Sequence, residues 1–163
     1  MIARRKLLLG GAGLLAGGGL WWITRPGDAA ENFPVQKSNA EWRRLLTPAQ
    51  YNILRLHGTE RPGSSALDYE KRKGTYSCAG CDLALFSSDA KFDSGTGWPS
   101  FYQPLANAVA TRADYSLLIP RTEVHCRSCG GHLGHVFNDG PPPTGLRYCL
   151  NGAALKFAPA PRA

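Results

Sequence analysis

Two short cysteine motifs, Cys78-Ala79-Gly80-Cys81 and Cys126-Arg127-Ser128-Cys129, decide how this 163-residue chain folds. The two-residue spacing within each motif lets both sulfurs of a turn point at one ion, and two such turns complete a tetrahedral sulfur site for zinc. Gly80 and Gly130 lie where such a turn needs a positive φ. Because residues 82–125 separate the motifs, a large part of the fold must connect them. The sequence therefore predicts one structural zinc ion that holds the domain together.

Two other interpretations of the four cysteines remain open at this point. In an exported protein they could form a pair of disulfides. Four thiolates also make a site for iron. Zinc is favoured over disulfides because two matching motifs use all four sulfurs at once. A closed site of this kind does no chemistry itself and serves only to stabilise the fold.

The rest of the chain is typical of one compact β domain over residues 31–163. Thr47-Pro48 supplies an N-cap and a proline at the first helical position, and Gly58 ends the predicted helix. From Gly74 onward, short runs rich in Tyr, Phe, Val, Leu and Ile are broken every few residues by Gly, Pro, Asn or Asp. The predicted fold class is mainly β, with short N-terminal helices and a single core.

Residues 1–30 differ from the rest of the chain and form a predicted targeting segment. Arg4-Arg5-Lys6 precedes an uncharged stretch, residues 7–23, that is rich in glycine and alanine. Its weak hydrophobicity favours a twin-arginine export signal over a permanent anchor. Trp21-Trp22 also fits a tether at a membrane interface. We therefore expect an export signal or N-terminal anchor, and a periplasmic location reached by the twin-arginine route.

The charge pattern argues against a nucleic-acid partner. The formal net charge is +7, but no run of basic residues is longer than Lys71-Arg72-Lys73. Such a pattern is typical of a solvated surface and not of a phosphate-binding stripe. We expect no nucleic-acid partner and a monomeric protein.

The fifth cysteine, Cys149, is the predicted nucleophile. Its neighbours, residues 146–151, alternate between apolar and polar with period two, as in a β-strand. Leu146, Tyr148 and Leu150 would pack inward, and the other face would carry Arg147, Cys149 and Asn151. A guanidinium and a carboxamide beside a thiol lower its pKa. Composition alone favours a buried structural cysteine, but these polar neighbours favour a reactive one.

A histidine pair and a loop tryptophan complete the candidate site. Four cysteines already fill the metal site, so His132 and His135 are not needed as ligands and fit proton donation instead. His57 and His125 lack such a context. Trp98 lies in a glycine-rich loop before a proline, where it is either part of the core or the wall of a site for an apolar group.

Together, these motifs resemble the B-type methionine sulfoxide reductases, which reduce the R epimer of methionine sulfoxide. The resemblance runs from about Trp42 to Phe157. The motifs that carry it are both cysteine pairs, Phe86-Ser87-Ser88, Ser94-Gly95-Thr96-Gly97-Trp98-Pro99-Ser100-Phe101, Gly131-His132-Leu133-Gly134-His135-Val136-Phe137, Asp139-Gly140-Pro141 and Arg147-Tyr148-Cys149-Leu150-Asn151.

The resemblance implies two antiparallel sheets, a structural zinc and a pocket around catalytic Cys149. The implied pocket residues are Trp98, His132, His135, Arg147 and Asn151. In the implied reaction the Cys149 thiolate attacks the sulfoxide sulfur, and His132 or His135 protonates the oxygen. Trp98 would cover the S-methyl group, and Asn151 with the histidines would hold the oxygen. The implied partners are oxidised proteins and a thioredoxin-like or other thiol reductant.

Two positions depart from the family pattern. Gly152 stands where a serine is common, and Thr96 stands where many members carry a second, resolving cysteine. Without that cysteine, we expect external thiols to reduce the sulfenic acid left on Cys149.

Two rival functions are weaker on the same residues. A non-enzymatic zinc-binding module for protein contact would explain the cysteine motifs, but not the common face of Arg147, Cys149 and Asn151. A Cys-His hydrolase would explain the nucleophile, but not the loop around Trp98.

Overall fold

The computed structural model describes residues 32–161. The predicted leader and the predicted boundary after residue 30 lie outside these residues. No helix within the described part of the chain has the length and apolar character needed to cross a membrane. The helices and strands are α1 (Asn39–Leu45), α2 (Pro48–Leu56), β1 (Gly74–Cys78), β2 (Ala84–Ser87), β3 (Lys91–Phe92), β4 (Ser100–Phe101), β5 (Val109–Asp114), β6 (Arg121–Cys126), β7 (His132–Phe137), β8 (Arg147–Leu150) and β9 (Leu155–Pro159).

The strands form two antiparallel sheets, which confirms the predicted fold class. The small sheet has the order β2-β1-β9, and the large sheet has the order β3-β4-β8-β7-β6-β5. The polypeptide returns to the small sheet only at β9, so the two halves of that sheet come from distant parts of the sequence.

The second helix begins as its sequence predicts and ends one residue earlier than expected. Thr47 caps its first turn by accepting a hydrogen bond from the Gln50 amide, and the Gln50 side chain accepts one from the Thr47 amide. Pro48 occupies the first helical position. The left-handed residue that stops the helix is His57, with φ 56°, and not Gly58. The sharp turn therefore lies at a residue whose side chain is available for other contacts.

Aromatic rings join the two sheets in the core. Tyr76 of β1, Phe86 of β2 and Phe101 of β4 are fully buried. The Phe101 ring lies 4.6 Å from that of Phe86 and 4.9 Å from that of Tyr76, between centroids. Such pairs add about 0.5–1.5 kcal/mol each beyond the burial of their area.

Strand β8 forms where the period-two pattern predicts it. Leu150 is fully buried, and the Tyr148 ring packs 5.7 Å from that of Phe86. Cys149 points the other way and lies opposite His135 in the ladder with β7. Asn151 follows directly after the strand.

A β-bulge in β7 brings the two candidate histidines to one face. Two consecutive residues of β6 lie opposite Gly134 and His132, so Leu133 is an extra residue in β7. In a regular strand, residues three apart face opposite sides, and a bulge cancels one step of that alternation. The rings of His132 and His135 consequently lie 5.4 Å apart.

Gly134 is required by the close approach of β7 to β8. A Cβ atom at this position would lie 2.1 Å from the carbonyl oxygen of Cys149 and 2.9 Å from the Cα of Leu150. Only glycine lets the two strands pair here, and this pairing sets Cys149 beside His135.

Candidate active site and metal centre

The four cysteines of the two motifs come together at one point. The Sγ atoms of Cys78 and Cys129 are 3.7 Å apart, those of Cys81 and Cys126 are 3.5 Å apart, and all four lie within 4.8 Å of one another. A disulfide bond is about 2.05 Å long, so these are free thiols. Sulfurs at about 2.3 Å from a tetrahedral zinc are about 3.8 Å apart. The cluster therefore fits a structural zinc ion and not a pair of disulfides.

The two cysteine motifs share one backbone geometry. The Asp82 amide donates to the Cys78 carbonyl at 2.9 Å, and the Gly130 amide donates to the Cys126 carbonyl at the same distance. Asp82 and Gly130 both have positive φ, 61° and 66°. The prediction was right for Gly130 and wrong for Gly80, because the left-handed position follows the second cysteine of each motif. Asp is one of the few residues that tolerate this conformation.

Cys149 lies in the wall of a cavity of about 130 Å³, here named the thiol cavity. A larger cavity, of about 780 Å³, contains none of the predicted catalytic or substrate-binding residues. The candidate active site is therefore identified by the Cys149 thiol and not by the size of its cavity. The thiol cavity is lined by Thr59, Trp98, Arg121, Gly134, His135, Phe137, Cys149, Leu150 and Asn151.

Trp98 is a wall of this cavity and not a core residue. Its indole Nε1 donates a hydrogen bond to the Glu60 carbonyl at 3.3 Å. This contact orients the half-buried ring beside Cys149. A flat aromatic face there suits an apolar group such as a methyl group.

The environment of Cys149 raises the pKa of its thiol, contrary to the prediction from its neighbours. Burial is the largest effect and disfavours the thiolate, while Thr96, Arg147 and Ser100 stabilise it to a smaller extent. The sequence showed the polar neighbours but not the depth at which the strand pairing places the sulfur. In the absence of substrate, Cys149 is therefore a neutral thiol at physiological pH.

Arg147 contacts the thiol cavity only indirectly, through a ring that lines it. Its Nε and Nη2 atoms donate to the two carboxylate oxygens of Asp139, each at 2.8 Å. Its guanidinium lies 4.4 Å from the centroid of the Phe137 ring, which lines the cavity. The structure thus places Arg147 next to Cys149 but outside the cavity lining.

Asn151 lines the thiol cavity with a side chain that is already hydrogen-bonded. Its Oδ1 accepts from the Glu60 amide at 2.9 Å, and its Nδ2 donates to the Leu133 carbonyl at 3.0 Å. One amide hydrogen remains for a ligand. Asn151 therefore also links Glu60 to β7, the strand that carries both histidines.

His135 is held by an ionised carboxylate. Its Nε2 lies 2.7 Å from Asp114 Oδ2. Hydrogen bonds from Ser116 and from His135 itself hold the pKa of Asp114 far below its ordinary value. A carboxylate only accepts, so Nε2 of His135 carries a proton and Nδ1 is the nitrogen that exchanges one. Burial lowers the pKa of His135, and Asp114 opposes this effect.

His132 belongs to a neighbouring cavity of about 310 Å³, here named the histidine cavity. Its Nδ1 lies 2.7 Å from Glu123 Oε1, and its Nε2 is buried without a hydrogen-bond partner among the described residues. The two cavities share Thr59, Arg121 and His135. The thiol cavity therefore brings together Cys149, Trp98, His135 and Asn151. His132 lies outside that cavity and packs against the His135 ring.

Glu123 is a buried carboxylate with three partners. It contacts His132, the Nδ1 of His57 at 3.2 Å and the Nε of Arg112. Burial disfavours its ionisation, but the hydrogen bonds from these three residues outweigh burial and hold the pKa of Glu123 well below its ordinary value. The ionised carboxylate fixes the proton of His132 on Nδ1.

Sequence reasoning missed the acidic partners of both histidines. Glu123 was detectable as an acidic residue in a run that forms a buried strand, but Asp114 carries no such signal. The prediction that His57 has no chemical context was wrong, because the end of α2 brings it to Glu123. His125, in contrast, packs edge-on against Phe33, with ring centroids 5.7 Å apart.

The two departures from the family pattern have structural counterparts. Thr96 Oγ1 lies 3.9 Å from Cys149 Sγ, so a hydroxyl group occupies the place of a resolving thiol. A Cβ at Gly152 would lie 1.9 Å from Ser65 Oγ. In this chain, Ser65 therefore fills the space that a side chain at position 152 would need.

Comparison with known proteins gives one consistent family. Residues 46–159 match the SelR domain. The chain is 58% identical over 127 residues to a peptide methionine sulfoxide reductase MsrB of Leptospira interrogans, covering 77% of this chain and 97% of that protein. It is 59% identical over 126 residues to an MsrB of Bradyrhizobium diazoefficiens, with coverages of 77% and 91%. The chloroplastic peptide methionine sulfoxide reductase B1 of Arabidopsis thaliana is 54% identical over 131 residues, with coverages of 80% and 65%.

A metal-stabilised domain of two antiparallel sheets with a thiol facing a histidine is typical of a thiol-dependent enzyme. With the matches above, this chain belongs to the SelR domain family, the B-type methionine sulfoxide reductases.

The alkylation of Cys149 by iodoacetamide should titrate above the pKa of an ordinary cysteine. Burial disfavours the reactive thiolate, so the rate should still be rising where a free thiol has levelled off. Replacing Thr96→Val should move the midpoint higher still, because it removes a hydrogen bond to the thiolate. The rate is followed by mass spectrometry with zinc in place, and Cys149→Ser is the unlabelled control. A midpoint below that of free cysteine would show that Arg147 dominates over burial.

Replacing Glu123→Gln should lower kcat about 10- to 100-fold, because an amide no longer fixes the proton of His132 on Nδ1. The pH dependence of kcat should change, while zinc content and KM should not. Asp89→Asn, which removes an exposed ion pair with Lys73, is the matched control. An unchanged pH profile with a lower melting temperature would reduce Glu123 to a structural role.

Proposed function

We propose that this domain reduces the R epimer of methionine sulfoxide, in proteins and as the free amino acid, with Cys149 as the nucleophile. The observation that carries the proposal is the Cys149 thiol facing His135 across paired strands, in a small cavity with Trp98 as its wall. Family membership supports a sulfoxide as the substrate. A non-enzymatic zinc-binding module is not favoured, since it has no need for this cavity.

The proposed step moves one oxygen atom between two sulfurs. The Cys149 sulfur bonds to the sulfoxide sulfur while its proton passes to the sulfoxide oxygen. The hydroxyl group then moves to the Cys149 sulfur, as the sulfur-oxygen bond of the substrate and the bond between the two sulfurs both break. Methionine leaves, and Cys149 keeps the oxygen as a sulfenic acid. The Cys149 sulfur is oxidised by two electrons, and the methionine sulfur is reduced by two.

Each pocket residue has a proposed role that its contacts support. His135 is the proton carrier because it lines the cavity, and His132 packs against its ring from behind, with centroids 5.4 Å apart. Trp98 covers the S-methyl group. Asn151 offers its remaining amide hydrogen to the oxygen, and Arg147 supports the Phe137 wall.

Zinc, bound by the four cysteines, supplies no chemistry to this step. Its four sulfur ligands leave no open position for substrate. Those cysteines are Cys78, Cys81, Cys126 and Cys129.

The sulfenic acid is proposed to be reduced by external thiols, from a thioredoxin-like protein or a small reductant. Four of the five cysteines are occupied by zinc, and position 96 carries a hydroxyl group beside Cys149. Two external thiols become a disulfide and release the oxygen as water. The substrates are oxidised proteins, and the enzyme acts as a monomer.

The purified protein with racemic methionine sulfoxide and dithiothreitol should consume the R epimer and leave the S epimer. Methionine formed and the remaining epimer are measured by chiral chromatography. Cys149→Ser should abolish turnover and keep its zinc, because the metal site has its own ligands. Turnover that survives in this variant, or loss of both epimers, contradicts the proposal.

A single turnover without reductant should leave one dimedone adduct, at Cys149, because no internal thiol is free to condense with the sulfenic acid. Mass spectrometry locates the adduct, and a zinc-sensitive dye reports on the metal. A disulfide between Cys149 and a motif cysteine, with zinc released, would show that the metal site takes part in recycling.

The leader is proposed to direct the folded domain to the periplasm by the twin-arginine route. A zinc site needs reduced thiols, so assembly before export is advantageous. Replacing Arg4 and Arg5 together with Lys should retain the protein in the cytoplasm, as measured by fractionation. Continued export of that variant would indicate the general secretory route.

A further inference from the structure

The hairpin between β5 and β6 ends in an exposed apolar segment, residues 115–119, here named the apolar tip. Leu118 is fully exposed, and Tyr115 and Ile119 are 75% and 76% exposed. No residue from 115 to 120 carries a charge. The exposed large hydrophobic residues elsewhere in residues 32–161 are single ones, which is normal for a soluble surface, whereas a contiguous group marks an interaction site.

The base of the apolar tip is built into the candidate active site. Asp114 and Arg121 face each other at the end of the β5-β6 ladder, and Arg121 Nη2 donates to Asp114 Oδ2 at 2.7 Å. The same Asp114 oxygen accepts from His135 Nε2. The Ser116 amide donates to Asp114 Oδ1 at 2.9 Å, which holds the first turn of the tip. The tip is therefore anchored to the carboxylate that orients His135.

A continuous surface leads from the apolar tip to the thiol. Tyr115 and Ser116 line the histidine cavity, and that cavity shares His135 and Arg121 with the thiol cavity. A ligand segment in the thiol cavity would therefore meet the tip with its neighbouring residues.

The chemistry of the substrate indicates what the tip contacts. Methionine is an apolar residue that packs in protein cores, and its oxidation disrupts those cores. A core segment that carries a methionine sulfoxide also contains other apolar residues, and unfolding exposes them in an extended chain. Lipid and a second copy of this protein would also contact an apolar surface, but neither explains its continuity with the cavities.

We propose that the apolar tip is a docking surface for apolar residues flanking the oxidised methionine of an unfolded polypeptide. The proposal rests on the proposed function and adds a preference among protein substrates. The tip contributes to binding and not to the chemical step.

The test uses the full chain and three substrates that all contain a methionine sulfoxide. These are N-acetylmethionine R-sulfoxide, a decapeptide with the sulfoxide flanked by Leu and Val, and the same decapeptide flanked by Ser and Gly. Leu118→Ser should raise KM for the apolar peptide about tenfold, because a leucine contact is lost. Its kcat, and both parameters for the other two substrates, should stay unchanged. Leu45→Ser, which replaces an exposed leucine of α1, is the control and should change none of them.

The outcomes separate the two proposals. Failure of the unaltered protein to reduce the N-acetyl compound would contradict the proposed function. Equal kcat/KM values for the two peptides, or an equal KM change for all three substrates in Leu118→Ser, would overturn the docking surface alone. Loss of dimerisation or of phospholipid-vesicle binding in Leu118→Ser, with the apolar peptide unaffected, would assign the tip to a second copy or to lipid and also overturn it.

Discussion

The four-cysteine zinc centre is the constraint on which the rest of the structure depends. Cys78 is the last residue of β1 in the small sheet, and Cys126 is the last residue of β6 in the large one. One zinc ion at this site therefore joins the end of the central strand of the small sheet to the end of an inner strand of the large sheet. The second motif is also the turn between β6 and β7, so its geometry sets the register of those strands. That register places His132 close to Glu123 and, after the bulge, His135 opposite Cys149. The metal site and the candidate active site thus share strands β6 and β7.

The candidate site contains two neighbouring histidine-carboxylate pairs. Each histidine has one ring nitrogen tied to a carboxylate of low pKa, Glu123 for His132 and Asp114 for His135. This leaves one exchangeable nitrogen on each ring, and the rings pack edge to face with centroids 5.4 Å apart. Such an arrangement holds orientation and tautomer constant while a proton moves. The arrangement explains why two histidines are present although only His135 lines the thiol cavity.

Sequence patterns predicted the features that depend on neighbouring residues, and missed those that depend on strand pairing. The spacing within each cysteine motif and the alternation around Cys149 are local, so the metal site and β8 follow from them directly. The role of Glu123 depends on contacts with His57, which follows α2, and with Arg112 of β5, and these contacts form only when the strands pair. The prediction of a lowered pKa for Cys149 was wrong for the same reason. Its polar neighbours are visible in the sequence, but the burial that outweighs them comes from β4 and β7 on either side.

A neutral thiol at Cys149 is compatible with the proposed chemistry, because the oxygen transfer has no net demand for protons. A thiol and a sulfoxide contain the same atoms as a sulfenic acid and a thioether, so the proton that leaves the Cys149 sulfur is the one that the oxygen gains. In the proposed reaction, His135 need only carry it across the cavity. Burial has two effects here: it lowers the thiolate fraction while no substrate is bound, which limits oxidation of the free enzyme, and it strengthens hydrogen bonds to the sulfoxide oxygen. The raised pKa therefore indicates a nucleophile that becomes reactive when substrate provides an acceptor for its proton.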